Sequence, residues 1–281
     1  MNNKKIRLIA FDLDDTLLTT DKRVTDRTKT ALQAAADAGL ILMPATGRPF
    51  LAVPEVVKTL PMVRFLLTSN GAAIWDKEEE KVVYSDYIPY ETACSVLDLV
   101  RDADVLTEFY SRGKSYACAK GYEKALHLWQ RIPESFRKDL VRYRQPVTDL
   151  ETRIRSGGCP VEKFRLTFGD PDLQKDLTGK LKDLGSLMIV HGASYNIELN
   201  TLTGNKGHAL EAFAAKNGIG PDEVMAFGDS ENDLTMLKAA GTGVAMGNAL
   251  PEVKAAANIV TLSNDEDGVA ALIEKYVPGG E

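Results

Sequence analysis

The chain has 281 residues, 44% of them hydrophobic and 26% charged, with 22 glycines and 12 prolines. That is ordinary globular usage at about two domains' length, and it excludes disordered, collagen-like and coiled-coil classes. Lys and Arg number 34 against 40 Asp and Glu, a net charge of −6, which argues against a protein that coats nucleic acid.

In chain order, the short apolar run 6–13 predicts a strand, and a helix over 26–38 follows, with Thr25 as its N-cap and Gly39 as its stop. Two more apolar runs, 40–45 and 63–67, end in Thr46-Gly47-Arg48 and Thr68-Ser69-Asn70-Gly71. Glu78-Glu79-Glu80 reads as a solvated turn. The middle has another texture. There, 105–111 and 114–119 flank Arg112-Gly113, a two-residue hairpin turn. Helical patterns at 90–101, 122–132 and 171–184 are interleaved with strand-like 164–168, 187–191 and 195–199. The first style then returns, with helices over 207–216, 231–240 and 266–276 alternating with strands over 224–227, 243–246 and 259–262. Such alternation predicts a parallel sheet covered on both faces. The expected organisation is a discontinuous α/β domain, residues 1–84 plus 196–281, with an α+β domain inserted at 85–195.

Ligands of open parallel sheets bind beyond the carboxyl ends of the strands. Those ends here are Asp12-Leu13-Asp14-Asp15-Thr16, Thr46-Gly47-Arg48, Ser69-Asn70-Gly71 and Gly228-Asp229-Ser230-Glu231-Asn232-Asp233. Any one of them is what a turn favours. Together they bring carboxylates to one edge, where a pair at 4 Å repels by about 1 kcal/mol in water and about 4 kcal/mol at an effective dielectric near 20. Such a cluster requires a cation. Oxygen-only ligands favour a hard ion, and a site for water and phosphate oxygens favours Mg²⁺ over Ca²⁺. Asp12 and Asp14, two apart in a strand that is ending, can serve one reacting centre, one attacking phosphorus and the other acting as acid and base. Thr46 offers a hydroxyl donor, and Lys206 a positive charge beside a helix N-terminus.

In order and spacing, Asp12-Leu13-Asp14-Asp15-Thr16, Ala45-Thr46-Gly47-Arg48, Lys206-Gly207-His208-Ala209-Leu210 and Gly228-Asp229-Ser230-Glu231-Asn232-Asp233 resemble the four motifs of the haloacid dehalogenase-like hydrolases. Ser69-Asn70-Gly71-Ala72 and the long insertion resemble the Cof-type sugar-phosphatase subfamily. The resemblance implies a doubly wound, mostly parallel, Rossmann-like α/β core with an inserted α+β cap that closes over the site. It implies a Mg²⁺-dependent phosphatase of small phosphorylated metabolites, mostly sugar phosphates, with Asp12 as nucleophile and Asp14 as general acid and base. Thr46 and Lys206 would hold phosphoryl oxygens, Asn232 would support them or Lys206, and Gly47, Arg48 and Asn70 would line the substrate side. Asp12, Asp14 through its backbone carbonyl, and Asp229 would ligate the metal, with Asp233 orienting metal-bound water or joining the ligands. Asp15 stands where many relatives have glycine.

Other features read as structural. Trp75 and Trp129 are expected to pack, His127 to sit on a helix surface, and Arg112-Gly113-Lys114 to face water. The glycine-rich segment 241–247 leads from helix to strand, the reverse of a dinucleotide loop, and Lys206 lacks the rest of a nucleotide-binding P-loop. Cys94, Cys118 and Cys159 are too few and too scattered for a disulfide framework. With no apolar stretch near the roughly 18 residues of a membrane helix and no secretory signal, a cytoplasmic protein without membrane or nucleic-acid partners is expected, as a monomer or weak homodimer. Two further activities remain open to these residues: a phosphomutase or phosphotransferase using the same nucleophile, and a non-catalytic sensor of phosphorylated ligands.

Overall fold

A computed structural model describes residues 6–118, 144–147 and 149–276. The helix expected over 122–132, with His127 and Trp129, lies outside them, as does the last residue of the strand expected over 114–119. The chain forms two compact units, one of Met1–Gly47, Val53–Ser85 and Asn205–Glu281, the other of Arg48–Ala52 and Asp86–Gly204.

The first unit is built on a five-stranded parallel sheet. Its strands lie in the order Ile259–Val260, Thr242–Ala245, Val224–Gly228, Leu8–Phe11 and Ile41–Pro44. Leu8, Ile9, Ala10 and Phe11 are each at most 1% exposed, the continuous apolar run of a strand covered on both faces. From Leu8–Phe11 the chain moves to one side, and from Val224–Gly228 to the other. The crevice between the ends of these two neighbours is the switch point where open α/β sheets take ligands. The helix expected after the first strand spans Asp26–Asp37, with the Thr25 side chain accepting from Thr28 N at 3.0 Å and Gly39 at φ 85° as its stop.

Two expectations are revised in this unit. Phe65–Thr68, expected as another parallel strand, touches the segment after Ile41–Pro44 through one parallel bridge, Ala45 to Leu67. It pairs antiparallel with Ala73–Asp76, which pairs in turn with Lys81–Ser85; Glu78-Glu79-Glu80 is the turn of that hairpin. The helix expected over 231–240 is a short tight turn, Glu231–Asp233, followed by Leu234–Ala239. The break comes where the Asp233 side chain folds back onto the backbone.

The second unit carries a six-stranded sheet in the order Leu187–Ala193, Asn196–Thr201, Lys163–Phe168, Val105–Ser111, Lys114–Cys118 and Arg144–Val147. Arg112 and Gly113, at φ 49° and 72°, make the expected tight hairpin turn between Val105–Ser111 and Lys114–Cys118. On one face Phe109, Phe164, Leu166, Ile197 and Leu199 form a core with Val96 and Leu97, Ile154, and Leu177 and Leu181 of the helices Tyr90–Val100, Leu150–Arg155 and Pro171–Asp183. The alternation along the strands gives the other face Glu108, Tyr110, Lys163, Arg165, Glu198 and Asn200. Asn196–Thr201 pairs on both sides within this sheet. The chain therefore returns to the first unit at Asn205 and not at residue 196 as expected from the sequence.

Candidate active site

Strand Leu8–Phe11 delivers Asp12 to the crevice, where Asp12 N donates to Phe227 O of the neighbouring strand at 3.0 Å. The chain then makes one wide turn, Leu13–Leu17, interrupted by extended Asp14 (φ −73°, ψ 123°) and left-handed Asp15 (φ 61°). Asp15 tolerates that conformation where a glycine would be the cheaper residue, and Asn248 Nδ2 donates to its carbonyl at 2.7 Å.

Lys206 opens the helix Lys206–Lys216, whose N-cap Asn205 accepts from His208 N at 2.9 Å. Its side chain is fully buried, and Nζ donates to Asp12 Oδ1 at 2.5 Å and to Asp233 Oδ1 at 2.7 Å. Asp233 is equally buried, and its Oδ2 accepts from Asp229 N at 3.0 Å and Ser230 N at 3.1 Å. This loop requires Gly228, because a Cβ there would stand 2.3 Å from Asp233 Cβ. Asp229 Oδ1 accepts from Thr16 Oγ1 at 2.8 Å.

One carboxylate oxygen from each of Asp12, Asp229 and Asp233 lies within 4.8 Å of the others. Burial pushes the Asp12 carboxyl well above its usual range, Lys206 offsets part of this, and Asp233, Asp229 and Asp14 push it further up. Burial, then Asp233, raises Asp229 to about 7 against the Thr16 hydrogen bond. Burial alone would lower the Lys206 ammonium, but Asp12 and Asp233 outweigh it and hold the lysine charged. Three carboxylates around one ammonium are thus short of positive charge. An all-oxygen donor set in that condition fits a hard divalent cation such as Mg²⁺, and Asp12, Asp229 and Asp233 would hold it.

The remaining expected residues fall into three groups. Thr46 and Asn70 are buried side by side, Thr46 N donating to Leu67 O at 2.9 Å and Asn70 N to Thr46 O at 3.1 Å, while Asn232 Nδ2 reaches Asn70 Oδ1 at 3.3 Å. Gly47 ends the first unit's segment and Arg48 belongs to the other unit, where its Nη1 donates to Ala52 O at 3.4 Å. The Asp14 side chain is not in the carboxylate group; its Oδ1 faces Lys22 Nζ at 3.1 Å. Thr16 is the residue that the sequence reading left without a role. Its signal was position, four residues after Asp12 and in the same strand-end motif.

A family model described as haloacid dehalogenase-like hydrolase matches residues 9–273. The 5-amino-6-(5-phospho-D-ribitylamino)uracil phosphatase YcsE of Bacillus subtilis is 32% identical over 97% of this chain and 96% of its own length. The pyridoxal phosphate phosphatase YbhA of Escherichia coli is 32% identical over 96% and 98% respectively. A solved haloacid dehalogenase-like hydrolase from B. subtilis superposes with a TM-score of 0.83 at 27% identity, covering 96% of this chain and 99% of that one. Motifs, fold and relatives agree, and the chain belongs to the haloacid dehalogenase-like hydrolase family.

Proposed function

We propose that this chain is a Mg²⁺-dependent phosphomonoesterase of small phosphorylated metabolites, working through an aspartyl-phosphate on Asp12 with Asp14 as general acid and base. The observation that supports this most is the buried contact of Lys206 with both Asp12 and Asp233 beside Asp229. It ties a strand-end nucleophile, a cation and a metal-competent carboxylate set into one site. The relatives named above act on phosphate esters of small molecules, which supports the substrate class.

In the first step a carboxylate oxygen of Asp12 bonds to phosphorus as the bond to the ester oxygen breaks. Asp14 gives its proton to that oxygen, which leaves as an alcohol. In the second step water bonds to the phosphorus of the aspartyl-phosphate and passes a proton to Asp14. The Asp12–phosphorus bond breaks, inorganic phosphate departs, and Asp12 returns as a carboxylate. Lys206 fixes the direction of the Asp12 carboxylate, and with Thr46 it holds the phosphoryl oxygens. Bound at the carboxylates, Mg²⁺ would neutralise charge on the transferring group.

The test is phosphate release from a panel of phosphorylated sugars, nucleotides and cofactors with Mg²⁺, by the wild-type chain and by Asp12→Asn. Release that stops with chelator and is abolished in the folded variant is expected. Substantial Mg²⁺-dependent hydrolysis by Asp12→Asn overturns the reading, and a rearranged phosphate ester in place of inorganic phosphate marks a phosphotransferase.

A further inference from the structure

We infer that Lys22 is a positioning residue for Asp14, holding the carboxyl group of the acid and base in its working direction; this rests on the role proposed for Asp14 above. Lys22 belongs to none of the motifs that mark the family in this chain. It lies in the turn after the strand-end motif, with Nζ 3.1 Å from Asp14 Oδ1 and 3.4 Å from Asp15 Oδ1.

The backbone is what makes this contact informative. Lys22 has φ 59°, a left-handed conformation that favours glycine or asparagine and is unfavourable for a long side chain. The turn imposes it from several sides. Lys22 N donates to Thr19 O at 2.7 Å, Thr19 N to Arg23 O at 2.9 Å, and Arg23 N to Thr19 Oγ1 at 3.1 Å. Thr20 N and Oγ1 both donate to the Asp265 carboxylate, at 2.8 and 2.7 Å, which anchors the turn to the far end of the chain. The lysine is thus placed by a built loop, and its ammonium comes to Asp14 from a fixed origin.

Stability does not account for the arrangement. Lys22 and Asp14 side chains are 46% and 35% exposed, and an ion pair that wet returns less than a left-handed lysine costs. A glycine would make the same turn more cheaply. Backbone strain of this kind persists where the side chain has a task, and Asp14 is what the side chain reaches. The Asp14 backbone is extended (φ −73°, ψ 123°) and left-handed Asp15 follows it. The Lys22 ammonium adds a contact to the Asp14 carboxyl from outside the motif.

A group that acts only through Asp14 has a distinctive kinetic signature. Lys22→Met is expected to lower kcat about tenfold on an alkyl phosphate with KM unchanged, the size of effect that follows from a misdirected reacting group. On p-nitrophenyl phosphate, whose leaving group needs little protonation, the loss is expected to be within about twofold. Lys22→Arg is expected to restore most of the alkyl-phosphate rate, whereas Lys22→Gly, which relieves the backbone, is expected to keep or raise the melting temperature yet lose the rate as Lys22→Met does. The deciding measurement is a double-mutant cycle: in an Asp14→Asn background, Lys22→Met is expected to change nothing further. Equal losses in both backgrounds, equal losses on both substrates, or full activity in Lys22→Met overturn the inference. Wild-type chain that releases no phosphate from either ester overturns instead the function on which it rests, so the two failures are told apart.

Discussion

Lys206 and Asp233 are joined by a 2.7 Å hydrogen bond between two fully buried side chains, and the same ammonium reaches Asp12. The lysine is thus both the counter-charge of Asp12 and the link between the first and last strand-end motifs. Lys206→Met keeps much of the side-chain volume but strands two buried carboxylates. We expect at least a hundredfold loss in kcat/KM, on the order of what one transition-state donor contributes. We also expect about 3–5 kcal/mol lower stability at pH 8, with recovery in acid as the Asp12 carboxyl, which burial already pushes up, takes up a proton. Denaturant unfolding at pH 5 and pH 8 checks it, and equal destabilisation at both pH values contradicts it.

The Asp229 carboxyl, raised to about 7 by burial and Asp233, makes a prediction about pH. With the folded value above that of the unfolded chain, the folded state binds the extra proton between about pH 4 and pH 7. Metal-free stability should therefore fall as pH rises through that window, by a few kcal/mol at most, and level off above it. Mg²⁺ must displace that proton, so its stabilising effect should be small at pH 5 and full at pH 8. Melting curves with Mg²⁺ and with chelator across this range check both halves.

Thr16 Oγ1 donates to Asp229 Oδ1 at 2.8 Å, which orients that carboxylate and lowers the cost of its charge. Thr16→Val keeps the shape and removes the donor. Loss of such a partner of a metal ligand costs about ten- to a hundredfold in metal affinity. We expect the Mg²⁺ concentration for half-maximal activity to rise by about tenfold, with kcat at saturating Mg²⁺ largely kept. An unchanged Mg²⁺ dependence would show that the hydroxyl has no part in holding the ion.

These residues differ in how openly the sequence declares them. Asp12 and Asp229 follow apolar runs that can only be buried strands, and the rule that such strands end at one edge places both at the crevice. Lys206 is legible as a lysine at a helix start. Its reach to both Asp12 and Asp233 is not, because it depends on the close packing that Gly228 permits. Lys22 was not legible, since its direction is set by a left-handed turn tied to Asp265, more than two hundred residues away. The return from the inserted unit was misplaced for a similar reason. Asn196–Thr201 reads as a strand in either unit, and only its pairing with Lys163–Phe168 and Leu187–Ala193 decides.

The polar face of the second unit's sheet carries a further prediction. Alternation along Lys163–Phe168 and Asn196–Thr201 puts Lys163, Arg165, Thr167, Asn196, Glu198 and Asn200 on one side, a pattern that normally marks a face in water. Lys163 is instead fully buried, with Nζ 2.8 Å from Glu198 Oε2 and 4.7 Å from the centre of the Tyr110 ring. Burial lowers its pKa, and the Glu198 carboxylate opposes the change. Removing one member of such a pair leaves a charge buried without its counterpart, whereas removing both leaves an apolar patch. Glu198→Leu should therefore cost about 3–5 kcal/mol of stability, and Lys163→Met together with Glu198→Leu much less than that. In Glu198→Leu the ammonium would lose its proton more readily, so part of the deficit should disappear at high pH, where a neutral amine is cheaper to bury. Denaturant unfolding of the single and double variants at pH 7 and pH 10 measures this. Additive losses would mean that the two charges are held independently.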